Sequence, residues 1–184
     1  MKKLLNPIKC TLIFLTLILC FMLISCQKGE NGTTVESSKS KDNNTYTINH
    51  EKNSSTYKVS VADGADAGSI LCLYNIQTNE LLQSVPIGQI PGGVAFEDVN
   101  SDGYMDVVTN TGGTLNETHE LYIWNVSSRG FIKVAFDKFE ILSYFEVRGD
   151  YIENWVKDTA SSGIIQKLVW SENTLVRVSQ EQYN

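Results

Sequence analysis

The stretch Asp98-Val-Asn100-Ser-Asp102-Gly103-Tyr104-Met-Asp106 puts short oxygen-bearing side chains at its first, third, fifth and ninth positions and glycine at the sixth. Such side chains converge on one point only if the chain turns sharply between them, and the glycine permits that turn. Tyr104, at the seventh position, would add its main-chain carbonyl, and Asp106 would bind directly or through water. The chemistry on offer is the holding of a hard cation. Calcium takes about six to eight oxygens at tolerant distances, whereas zinc, copper and iron favour the nitrogen and sulfur ligands that are missing here. Calcium is therefore the expected cofactor, with Asp98, Asn100, Asp102, Tyr104 and Asp106 as its ligands. A metal-free turn rich in Asp and Asn is the simpler alternative. Against it, three carboxylates this close repel one another unless a cation lies between them.

The elements around the loop decide its type. A helix-flanked EF-hand carries a bidentate glutamate at position 12, where this chain has Thr109, and the flanks Val94-Ala-Phe96 and Val107-Val-Thr109 read as strands. The loop therefore resembles the calcium loops of FG-GAP and VCBS-type β proteins, which run between strands. The rest of residues 56–184 agrees with that setting. Short β-prone runs (Tyr57-Lys-Val-Ser-Val, Ile70-Leu-Cys-Leu-Tyr74, Leu81-Leu-Gln-Ser-Val85, Leu121-Tyr-Ile-Trp-Asn125, Phe131-Ile-Lys-Val) alternate with turn signals. Leu168-Val-Trp170 and Leu175-Val-Arg-Val178 form a terminal hairpin around Ser-Glu-Asn-Thr. The expected fold is all-β: short antiparallel strands in a compact meander or partial propeller-like domain. Phe139 to Val156 leaves room for one short helical turn. No internal repeat stands out, and about 130 residues are too few for a standard closed propeller.

The N-terminus gives the address. Lys2, Lys3 and Lys9 precede an apolar run from Thr11 to Ile24, which ends at Ser25-Cys26. A basic stretch, a short apolar stretch and a small residue at the cut site make a secretory signal, and the run is short for a permanent span. Leu23-Ile24-Ser25-Cys26 resembles the bacterial lipobox. That resemblance implies cleavage of the 1–25 lipoprotein signal peptide and lipid, including palmitate-type chains, on Cys26. Residues 26–55 are rich in Ser, Thr, Asn, Lys and Gly, and read as a lipidated cysteine with a flexible tether. The expected location is the cell membrane, lipid-anchored on its extracytoplasmic side, with residues 56–184 as the calcium-binding β domain.

Charge narrows the function. Removing residues 1–25 takes three lysines and no acid, which moves the net charge from −6 to about −9. Nucleic acid is excluded as a partner, because phosphate binding needs a basic face. Cys72 alone would remain as an unlipidated thiol, so the domain relies on its core rather than on a disulfide. Catalysis finds little footing. His50 falls in the tether, and no G-x-S-x-G, H-E-x-x-H or phosphate-cradling glycine loop is present. His119, beside Glu117 and Glu120, is the one candidate general base.

One further resemblance spans roughly residues 68–178. Ile70-Leu-Cys-Leu-Tyr-Asn75, Phe96-Glu-Asp-Val-Asn-Ser-Asp-Gly-Tyr-Met-Asp106 and Tyr122-Ile-Trp124-Asn125 with Phe131 look like a family of bacterial exported lipoproteins. Its best-understood members are immunity proteins that block lysozyme-like toxins delivered by type IV secretion. The anchor, the tether, the β domain and the lack of catalytic machinery point to a non-enzymatic, calcium-stabilised envelope interaction module for a protein or glycan, and the resemblance implies inhibition of a peptidoglycan hydrolase. An envelope hydrolase and a structural adhesin are the competing expectations. The adhesin would show several repeats of the loop, and the chain has one.

Overall fold

A computed structural model describes residues 44–64 and 68–184. The expected signal peptide, the expected lipidation site Cys26 and the expected tether up to residue 43 lie outside the described residues. Thirteen strands form, in three sheets, and no helix occurs among the described residues. The all-β expectation holds. Each sheet is built around an up-and-down meander of four consecutive strands.

The first sheet is β1 (Thr45–His50), β2 (Ser55–Asp63), β3 (Ser69–Asn75) and β4 (Leu81–Gly88), in that order. The second is β5 (Gly93–Glu97), β6 (Asp106–Gly112), β7 (Thr118–Asn125) and β8 (Gly130–Lys133). In the third, β10 (Tyr144–Val147), β11 (Tyr151–Lys157), β12 (Gly163–Ser171) and β13 (Thr174–Tyr183) follow in sequence, and β9 (Ala135–Asp137) adds to β13 in parallel. None closes into a barrel.

Two sequence expectations change. Thr45-Tyr-Thr-Ile-Asn-His50 was expected in the tether but is strand β1, paired with β2 from Thr45↔Ser60 to His50↔Ser55. Its alternation buries Ile48 and His50 completely, and burial of that face outweighs the polar composition around it. The tether expected over residues 26–55 therefore does not extend through β1. The short helical turn allowed within Phe139–Val156 does not form; that segment supplies β10 and β11.

The period-two pattern makes the second sheet a middle layer. Val107, Tyr122, Trp124 and Phe131 face one way and pack with Ile48, Val59, Leu71, Leu73 and Ile87 of the first sheet. Val108, Leu121 and Ile123 face the other way, onto Ile152, Leu168 and Leu175 of the third. Amide side chains tie the layers at their rims. Gln83 accepts from Phe131 N–H (2.7 Å) and donates to Phe131 C=O (2.9 Å), as a strand neighbour would. Asn116 does the same for Lys157, at 2.7 and 2.9 Å.

A repeat hidden in the sequence emerges from this stack. Leu71-Cys-Leu-Tyr-Asn-Ile-Gln-Thr-Asn-Glu-Leu-Leu82 and Leu121-Tyr-Ile-Trp-Asn-Val-Ser-Ser-Arg-Gly-Phe-Ile132 occupy equivalent hairpins in consecutive sheets. Asn75 and Asn125 each accept main-chain N–H bonds across the turn, from Gln77 and Thr78 and from Ser128 respectively. Asn79 and Arg129, at matching places, both take left-handed backbone (φ 57° and 51°). In both sheets the first and third residues of the repeat face the next sheet along.

Candidate metal loop and its surroundings

The loop from Glu97 to Asp106 joins β5 to β6, whose ends pair at Glu97↔Asp106. Its shape follows from side chains that capture main-chain N–H groups. Asp98 accepts from Asp102 N–H (3.0 Å) and Gly103 N–H (2.8 Å). Asn100 Oδ1 accepts from Asp102 N–H at 3.1 Å, and its Nδ2 donates to Asp102 Oδ2 at 3.1 Å. Asp102 Oδ1 accepts from Tyr104 N–H at 2.9 Å. Gly103 has φ +85°, and a Cβ there would also lie 3.0 Å from the Cβ of Lys52. A side chain at this position would meet both strain and crowding.

Asp98, Asn100 and Asp102 are thus gathered around one turn. Asp106 has a different placement. It is fully buried, with Oδ1 on Trp124 N–H (2.8 Å) and Oδ2 on Val99 N–H (3.1 Å). Its first effect is to fasten the loop to β7. Tyr104 is buried by its ring, which meets the His50 ring edge-on at a centroid distance of 5.3 Å.

Electrostatics mark the loop as short of positive charge. Burial pushes the Asp106 carboxyl up to about 8, and the charges of Asp102 and Asp98 add to the shift against the pull of the two N–H donors. Burial raises Asp98 as well, with Asp102 adding to it and main-chain donors opposing it. No three His, Cys, Asp or Glu side chains among the described residues form a ready metal-holding group. The loop instead combines carboxylates with an amide and the main chain. Hydrogen-bonded carboxylate oxygens keep lone pairs for a further partner, so the donor set suits a hard cation.

His50 is the residue that sequence reasoning misplaced. It is fully buried, and its Nδ1 accepts from Met105 N–H at 2.9 Å. Its ring packs on Trp124 (4.3 Å) and Tyr57 (5.4 Å). Burial lowers its pKa to about 4, with Asp102 pulling the other way. The signal for it was the alternation Tyr46, Ile48, His50.

His119 lies away from this loop. Its Nε2 is 3.9 Å from Glu117, its buried Nδ1 has no partner, and its ring meets Phe145 edge-on at 5.4 Å. Glu120 is engaged elsewhere, accepting from Tyr122 Oη and Lys133 Nζ. The geometry at His119 is that of packing between the second and third sheets.

No protein-family model matches the sequence, and no curated protein matches it. A solved structure of a Xanthomonas type IV secretion system related protein is similar to this chain at a TM-score of 0.47 and 11% identity. The match covers 69% of this chain and 77% of that one.

Proposed function

We propose that this chain is a lipid-anchored binding module of the cell envelope, stabilised by calcium in the Asp98–Asp106 loop. In this reading it grips a protein or glycan outside the membrane, and the sequence resemblance makes a peptidoglycan hydrolase the first partner to test. The observation that carries the binding role is a pair of hairpins. Ile76, Leu81, Leu82 and Val126 are four of the six large apolar side chains exposed among the described residues. They lie on or beside the two repeated turns that Gln83 ties together. Single exposed apolar residues are ordinary, but a concentration on two neighbouring turns marks an interaction surface.

Leu82→Asp and Val126→Asp are expected to leave the thermal melt nearly unchanged, since neither side chain is buried. Both should lose capture of the envelope partner and, where that partner is a lysozyme-type enzyme, its inhibition. Undiminished capture by both variants would remove these hairpins from the binding surface.

The calcium part is supported by the gathering of Asp98, Asn100 and Asp102 and by the raised carboxyls of Asp98 and Asp106. Extracellular modules bind calcium at about 10⁻⁴–10⁻³ M, so a titration to several millimolar is the proper range. Calcium should raise the melting temperature of the wild type, and Asp102→Ala should abolish the rise. A wild-type melt unmoved by calcium would sink the metal assignment.

A hydrolase remains the second reading, on the unpartnered Nδ1 of His119 beside Glu117. Its test is peptidoglycan cleavage by the purified chain, lost in His119→Ala.

A further inference from the structure

We infer that the β1–β2 hairpin forms the outer wall of the Asp98–Asp106 loop, with His50 as a positioning residue, so that cation loading locks the first strand onto the domain. The inference rests on the reading of the loop as a calcium site. Three consecutive loop residues are held from this hairpin. Lys52 N–H donates to Gly103 C=O at 3.1 Å. The Lys52 side chain lies against Gly103, and its ammonium stands 5.5 Å from the centre of the Tyr104 ring. Met105 N–H donates to the buried Nδ1 of His50. These contacts cover the sixth to eighth loop positions, which include the main-chain carbonyl of Tyr104.

The hairpin depends on the loop in return. Among the described residues β1 is an edge strand, with its ladder to β2 alone. Beyond that ladder, Tyr46 packs on Phe96 of β5 at 5.1 Å, and Ile48 and His50 are buried against Tyr104, Met105 and Trp124. A wandering loop would remove part of the surface on which β1 rests. Coupling between two such elements is reciprocal: whatever the hairpin contributes to calcium affinity, calcium returns to the hairpin. The consequence falls where the chain arrives from its N-terminal segment, since β1 is the first described element. Loading would fix the point at which the domain meets that segment.

His50 has the chemistry for this role. A phenylalanine would fill the same aromatic surroundings, but only a group with an acceptor at the Nδ1 position can hold Met105 N–H. Asparagine places its amide oxygen near that point. The test is calorimetric titration of the full mature chain with calcium chloride, paired with hydrogen exchange at the amides of residues 46–50 with and without the ion. His50→Phe should weaken calcium binding tenfold or more, His50→Asn should restore most of it, and loading should slow exchange in β1 of the wild type. A merely structural histidine would lower the calcium-free melt without moving the affinity. If His50→Phe fails to fold, Lys52→Pro, at an exposed turn, removes the N–H donated to Gly103 and carries the same expectation. Wild-type affinity in these variants, or β1 exchange indifferent to calcium, overturns the coupling while leaving the calcium site standing. A wild type that binds no calcium at millimolar concentration ends both.

Discussion

Asp106→Ala is expected to lower the stability of the calcium-free protein by about 2–6 kcal/mol, because it leaves two buried N–H groups without an acceptor at about 1–3 kcal/mol each. The two donors come from separate elements, Trp124 in β7 and Val99 in the loop. The loss is thus a fastening between layers rather than one bond in a turn. It is large against the roughly 5–15 kcal/mol by which domains are stable. Chelator-treated protein unfolded in urea gives the measurement. Asp106→Asn should fall between alanine and wild type. It keeps one acceptor oxygen, but it turns an amide donor toward the second N–H. An alanine variant with the wild-type midpoint would show that Asp106 does not fasten these elements. The outcome also separates two roles that a binding titration alone would merge, since losing a pure metal ligand would not lower stability in the absence of metal.

The sequence pattern around Asp98–Asp106 was legible because its order follows from local rules. Short acceptor side chains capture the N–H groups two to five residues ahead, and glycine takes the positive φ. The ninth position was read by type but not by direction. That Asp106 turns toward β7 depends on a strand eighteen residues away, which no local pattern encodes. β1 escaped notice for a related reason. Six residues with only Tyr46 and Ile48 as apolar members look like tether until a partner sheet exists to bury them. The repeat in successive sheets was hidden because it is confined to two twelve-residue hairpins, while the strands around them differ in sequence. The third sheet has a shorter turn at Glu172 and Asn173, and Lys167 lies on its outer side. A polar residue there suits a terminal layer that no further sheet among the described residues covers.

The ambiguous segment before β11 holds the second large effect, and it runs against hydrophobic intuition. Asn154→Leu places an apolar side chain at a fully buried site, yet it is expected to destabilise by about 3–5 kcal/mol. Residues 138–143 cross between the second and third sheets without joining a regular ladder; Leu142 only bridges to His119. Buried main chain outside a ladder must find partners elsewhere. Asn154 supplies them: Oδ1 accepts from Ser143 N–H at 2.7 Å, and Nδ2 donates to Ile141 C=O and to Gln166 Oε1, both at 2.9 Å. Leucine leaves all three groups unmatched. Asn154→Leu with Gln166→Leu should recover about 1 kcal/mol relative to the sum of the single losses, because their mutual bond then disappears with both partners gone. The main-chain groups of Ile141 and Ser143 would stay orphaned, so full recovery is not expected. Urea unfolding of the four-member cycle measures this directly. A single leucine variant as stable as wild type would mean that water or a small shift of the crossing segment satisfies those groups, and that Asn154 is not what holds the segment between the sheets.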